Sequence, residues 1–99
     1  MQFAVIAYDF TDRDAYGRRL AARGEHLALG DRMKGEGKLL FAAALQDDEM
    51  QKMIGSVLIC DFPARADLDA WLRVEPYVVQ KVWEKIEVRQ CKVGPAFVK

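Results

Sequence analysis

His26 is the single histidine in the chain, and histidine is the residue type that exchanges protons near neutrality. It sits with Ala22, Leu29 and Met33 at spacings of 4, 3 and 4, which put all four on one helical face. An imidazole in an apolar stripe has two readings: a packing residue with its polar atoms satisfied, or a general base in a pocket wall. The second group is Glu75, in Val74-Glu75-Pro76-Tyr77. A carboxylate just before a proline has little backbone freedom, so it can hold an imidazole by a hydrogen bond and fix its tautomer. The plainer reading is that Glu75 ends one helix and supplies negative charge to the start of the next. Gly35-Glu36-Gly37 lacks the spacing and the following Lys-Ser/Thr of a phosphate loop and reads as a helix stop. One histidine and no clustered acids imply no metal site, and no cofactor is called for.

The elements that must position these groups follow from periodicity. Phe3 to Tyr8 is continuously apolar and rich in strand formers, as expected of a central strand. Thr11 is placed to cap a helical stretch from about Asp12 to Gly35, within which Gly24 allows two helices or one kinked one. Leu39 to Leu45 reads as a second strand and Gln46 to Lys52 as a hairpin connection. Ser56 to Phe62 is a third strand, stopped by Pro63. Asp67 to Val74 is helical, with Leu68, Trp71 and Leu72 toward the core, and Tyr77 to Trp83 suits a further short helix. In the last strand Ile86 and Val88 alternate with charged residues before the phase slips to Cys91 and Val93, which predicts a bulge near Gln90.

Ninety-nine residues allow one compact domain, 1–99, and 52% apolar with 30% charged residues describe a globular chain. Fifteen basic and fifteen acidic side chains cancel to zero net charge, which argues against nucleic-acid and membrane-surface partners. No apolar run approaches a bilayer span, so the cytoplasm is the expected compartment. Cys60 and Cys91 lack the spacing of a disulfide framework or zinc site and read as small core residues.

The order strand, helix, strand, strand, helix, strand is that of an α+β, ferredoxin-like split βαβ fold, with a four-stranded antiparallel sheet and helices on one face. The crossover rule is read here as placing the first and third strands side by side and parallel, with the fourth on the other flank of the first. That leaves one face of the sheet bare. If apolar, it closes by homodimerisation into a dimeric α+β barrel; if polar, the protein stays monomeric.

The run Arg19-Leu20-Ala21-Ala22-Arg23-Gly24-Glu25-His26-Leu27 resembles the RL-x-x-R-x-x-HL signature of the YciI-like proteins. Val5-Ile6, Glu36-Gly37-Lys38-Leu39-Leu40, Gly55-Ser56-Val57, Glu75-Pro76-Tyr77-Val78 and Val82-Trp83-Glu84 follow in that family's order, so the resemblance spans nearly the whole chain. It implies a ferredoxin-like protomer paired into a dimeric barrel, and a histidine–carboxylate catalytic pair. His26 matches that pair, but Glu75 stands where the family carries Asp, one methylene longer, which shifts the geometry of the pair or marks lost activity. The connection before Gly55 is also shorter than in many relatives.

By analogy with a dehydrochlorinase of this kind, His26 takes a ring proton, Glu75 supports the imidazole, and a halide or similar group leaves. The same analogy gives Arg19, Arg23, Ser56 and Tyr77 to an unknown small-molecule ligand, the first three toward an anionic oxygen. The arginines have a plainer reading as solvated or acid-paired helix charges, and Tyr77, Trp71 and Trp83 as core or dimer aromatics. Haem held by His26 is the competing barrel chemistry, and the order of motifs favours the YciI-like reading. A lyase or other acid/base enzyme stands beside a non-catalytic ligand-binding or accessory module, and beside a purely structural protein.

Overall fold

A computed structural model of the chain describes residues 1–97. Its elements are β1 (Gln2–Asp9), α1 (Ala15–Gly35), β2 (Leu39–Gln46), β3 (Met53–Asp61), α2 (Arg65–Leu72), α3 (Pro76–Val79) and β4 (Trp83–Cys91), followed by a 3-10 turn at Pro95–Phe97. The strands form one sheet in the order β2-β3-β1-β4, and every neighbouring pair is antiparallel.

The fold is α+β with a four-stranded antiparallel sheet, as the element order implied, but one direction differs. β1 and β3 are neighbours running antiparallel, not parallel. The crossover through α1 brings the chain back parallel to β1 in β2, and the hairpin then reverses it. β3 therefore slots between β1 and β2 with opposite polarity.

α1 is one uninterrupted helix. Gly24 lies on its solvent side with nothing near its missing Cβ, so it neither divides nor kinks the helix. The helix begins at Ala15 after an Asp14 N-cap with no side-chain cap bond, so Thr11 does not cap it. Asp12 is instead gripped by both terminal nitrogens of Arg18 at 2.7 Å, and this pairing lowers its carboxyl to about 2. The C-terminus is closed by Gly37 at φ +75°, whose N–H donates to Lys34 O while Lys38 N–H donates to Met33 O. This six-to-one and five-to-two pattern needs a residue tolerant of left-handed backbone, and glycine supplies it.

Trp83, expected in a helix, begins β4, because α3 ends at Val79 and Lys81 at φ 57° turns the chain into the strand. The register of β4 against β1 runs unbroken from Cys91 to Lys85 and shifts at Tyr8/Asp9, opposite Glu84. The irregularity therefore lies at the start of β4, not near Gln90. There it brings Trp83 opposite Asp9, beside the candidate site.

Strand pairing assigns the two sheet faces. Phe3, Val5, Ala7, Leu58 and Cys60 point to the helices and pack with Ala22 and Met33 of α1 and Leu68 and Trp71 of α2. Each fully buried side chain of this size contributes about 1.5–3 kcal/mol. Burial pushes the Cys60 thiol up to about 12, so it is a small hydrophobe at neutral pH. Cys91 pairs with Gln2 and so lies on the opposite face. That other face carries Ala4, Ile6, Val57, Ile59, Phe41 and Ala43, with Glu87 and Arg89 of β4 beside them, and these side chains stay half-buried or exposed. No helix among the described residues is long and apolar enough to cross a membrane.

Gly55 is the glycine of the sheet at which a side chain cannot be added without a clash, since a Cβ built there would overlap Ala7 O. Gly55→Ala is expected to destabilise the fold by about 2 kcal/mol or more through forced backbone separation. Gly24→Ala, at an open helical position, stabilises by up to about 1 kcal/mol. Urea unfolding of both variants checks the pair, and equal effects would contradict the close approach of β1 and β3.

Candidate functional site

α1 carries Arg19, Arg23 and His26 on successive turns, facing the end of the sheet where β1 finishes and β3 begins. Arg19 is the deepest, 2% exposed. Its Nη1 donates to both oxygens of Asp9 at 2.9 and 2.8 Å, and its Nη2 donates to Gly55 O at 3.1 Å and Ser56 Oγ at 3.3 Å. Only Nε is left without a partner. Arg19 thus pins α1 to β1 and β3, and its guanidinium also lies 4.9 Å from the centre of the Tyr77 ring. Burial raises the Asp9 carboxyl above its usual value, and the Arg19 bonds and charge partly restore it.

Glu75, 2% exposed, is reached from α2 through the Trp71 carbonyl, which accepts its N–H at 3.0 Å. Pro76 starts α3, and the Glu75 side chain turns back over it. One oxygen, Oε1, accepts from Tyr77 N–H at 2.7 Å and contacts His26 Nδ1 at 2.8 Å. A carboxylate accepts only, so Nδ1 must donate, and a neutral ring bonded this way keeps its lone pair at Nε2. The His26 ring lies 3.8 Å from the Tyr77 ring at an interplanar angle of 7°, and meets Trp83 edge-on at 5.8 Å. The imidazole is therefore held by one hydrogen bond, one stacked face and one edge contact, while 16% of it stays exposed.

Ser56 links the two halves. Its Oγ accepts from Trp83 Nε1 at 3.1 Å as well as from Arg19 Nη2. Tyr77 is buried, and its phenol titrates above its ordinary value because burial outweighs the opposing pull of Arg19 and Arg23. It remains a neutral donor at physiological pH. Arg23, one turn along α1 from Arg19, is exposed and makes no ion pair or hydrogen bond among the described residues.

His26 borders two cavities. One, of about 340 Å³, lies between α1 and the edge strand β2 and is also lined by Glu75 and Trp71. The other, about 160 Å³, is lined by Arg19, Arg23, Ser56 and Tyr77. All six residues singled out in the sequence thus gather around two adjoining cavities. Arg19 differs from expectation in one respect: four of its five donor directions are taken inside the protein, so it positions Ser56 and Tyr77 more than it offers free hydrogens. Sequence reasoning missed Asp9 and the indoles of Trp71 and Trp83 as site components. Asp9 ends the first strand, and a buried arginine on the next helix needs an acid, which is the one signal that pointed to it. No cluster of three or more His, Cys, Asp or Glu side chains forms among the described residues.

Comparisons with known proteins bear on the family and the fold. The YCII-related domain family matches residues 1–92. Protein YciI of Escherichia coli O6:H1 is 30% identical over 97 residues, covering 93% of this chain and 97% of that protein, and Protein YciI of Shigella flexneri matches equally. Among solved structures, a 5-chloro-2-hydroxyhydroquinone dehydrochlorinase from Burkholderia phenoliruptrix, in complex with 2,5-dihydroxybenzoquinone, is similar in fold. Its TM-score is 0.81 at 18% identity, over 97% of this chain and 98% of that one. A protein of Agrobacterium tumefaciens aligns with a TM-score of 0.55 at 15% identity, over 96% and 95% of the two chains. The chain belongs to the YCII-related domain family.

The Arg19–Asp9 pin yields a pH-dependent expectation. Arg19→Met strands the Asp9 carboxyl and should cost about 3–5 kcal/mol near neutrality. Without the cation, the folded-state value of Asp9 rises further above the unfolded one. The variant's stability then falls as pH rises through that interval and recovers on acidification. Urea unfolding at about pH 5 and about pH 8 should show the smaller deficit at the lower pH, and a pH-independent deficit contradicts the pin.

Proposed function

We propose that this YCII-related protein is an acid/base catalyst of the lyase type, in which His26 takes a proton from a small molecule and Glu75 orients the imidazole. The observation that carries this reading is the 2.8 Å contact of Nδ1 with a buried carboxylate that also accepts from Tyr77 N–H. Donation at Nδ1 reserves Nε2 as the base, and stacking on Tyr77 fixes the plane in which it acts. A proton passes from substrate carbon to Nε2. The electron pair left on carbon forms a double bond as a halide or similar group leaves, so the net change is loss of HX. Glu75, one methylene longer than the family's Asp, reaches His26 with its side chain folded back onto the first turn of α3.

The chemistry of the leaving group rests on the dehydrochlorinase likeness, which extends to fold. Two free cysteines, one of them buried, suit a reducing compartment such as the cytoplasm. The exposed sheet face, apolar across β1, β2 and β3 with Glu87 and Arg89 at the β4 edge, on a chain of zero net charge, supports pairing with a second copy, sheet to sheet, as a dimeric barrel.

The reading is tested by incubating the protein with a panel of chlorinated hydroxyhydroquinones and measuring chloride release. Wild type should exceed the uncatalysed rate. His26→Gln should lower kcat by about 10² to 10⁴-fold, and Glu75→Gln by at least about tenfold, both with smaller changes in KM. Binding without turnover in the wild type, or turnover untouched by His26→Gln, contradicts catalysis and leaves a ligand-binding module. Sedimentation at micromolar concentration should give twice the 11.2 kDa chain mass, and Val57→Lys on the bare face should return the monomer. A monomeric wild type contradicts the pairing.

A further inference from the structure

Resting on the reading of His26 as the reactive centre, we infer that the site takes a bipartite ligand, with an apolar, ring-sized body in the α1–β2 groove and an anionic oxygen group in the niche on the other side of His26. The two cavities share His26, Leu27, Ala42 and Leu58, so they abut along one wall and His26 stands at the junction. Their chemistry differs on the two sides.

The groove is walled by Gly30, Leu39, Leu40, Phe41, Leu58 and Trp71, and its volume of about 340 Å³ suits a small aromatic or alicyclic body. Gly30 keeps it open, because α1 has no side chain there and a Cβ would already touch Leu39 Cδ2 at 3.5 Å. Asp31 and Lys34 belong to the same lining, one of each sign.

The niche holds donors and no acid. Ser56 Oγ already accepts from both Trp83 Nε1 and Arg19 Nη2, which occupies its two lone pairs. Its own hydrogen is therefore free to be donated, and the niche is the cavity that Ser56 lines. Tyr77, kept as a neutral phenol by burial, lines the same space, and its hydroxyl makes no hydrogen bond among the described residues. Arg23 adds a guanidinium with no acidic partner among them. Arg19 supplies charge behind them, but Asp9 already balances it. A pocket with an unneutralised cation, two hydroxyl donors and no carboxylate selects an anionic oxygen over a neutral or cationic group. With the head held there and the body in the groove, the bond joining them passes the His26 side chain. The candidate substrates are thus amphiphilic acids or phenolates that lose a proton close to their anionic end.

The test is equilibrium binding, followed by amide chemical shifts, with three probes: 3-phenylpropionate, its neutral counterpart 3-phenylpropanol, and acetate. Wild type should bind the phenyl acid about tenfold or more tighter than either of the others, with shifts on both sides of His26. Arg23→Gln should erase the preference for acid over alcohol while sparing the alcohol. Gly30→Leu should erase the preference for the phenyl acid over acetate while sparing acetate, and the milder Gly30→Ala should move the same way. Equal binding of acid and alcohol by the wild type overturns the inference. So does a loss of all probes together in Arg23→Gln, or absence of any shift near His26. Because His26→Gln should keep these preferences while losing turnover, failure of the catalytic reading and failure of the bipartite pocket give different results.

Discussion

A single carboxylate oxygen joins a backbone turn to the imidazole in this molecule. Glu75 Oε1 accepts the Tyr77 N–H at 2.7 Å and takes His26 Nδ1 at 2.8 Å, in a side chain with almost no contact with water. A buried carboxylate without such partners would be expensive, so the two bonds stabilise the local backbone and orient the imidazole through one constraint. The bond to Tyr77 starts α3, which places the Tyr77 ring under His26. The bond to His26 sets the tautomer. Backbone structure and the orientation of the imidazole are thus coupled at one atom, and a change there disturbs both.

Arg19 plays the complementary part beside the Tyr77 ring. It ties helix, first strand and third strand together through Asp9, Gly55 and Ser56. Because it consumes the acceptor capacity of Ser56, it also determines that Ser56 donates. A buried ion pair of this kind gives little net stability against a well-packed apolar alternative, whereas removing one partner is costly. Its value here is placement: the pair fixes the end of the sheet against the helix that carries Arg23 and His26.

Much of this was legible in the chain and some was not, for identifiable reasons. The element order and the apolar stripe of Ala22, His26, Leu29 and Met33 read directly, since both follow from local periodicity. Glu75 before Pro76 read as a constrained carboxylate because proline geometry is local too. What periodicity cannot carry is direction and partner choice. The antiparallel β1–β3 pairing follows from counting chain reversals across the sheet, and the helical crossover belongs to β1 and β2. Gly24 read as a break because propensity weighs every glycine alike, yet an exposed glycine inside a long helix held by packing is tolerated. Trp83 and the β4 bulge were misplaced because a left-handed residue at Lys81, a type with no preference for that conformation, ends the helix early. Arg19 read as ligand-facing, solvated or acid-paired; the acid-paired reading holds, but the partner could not be named because Asp9 lies in another element.

The central claim is that Glu75 holds His26 with the proton on Nδ1 and the lone pair on Nε2. A two-dimensional spectrum correlating the His26 ring nitrogens with the ring carbon-bound protons reads the tautomer of the neutral imidazole directly. The structure predicts protonated Nδ1 and bare Nε2 in the wild type, with that preference lost in Glu75→Gln. A neutral ring protonated at Nε2, or one unchanged by Glu75→Gln, would contradict the account.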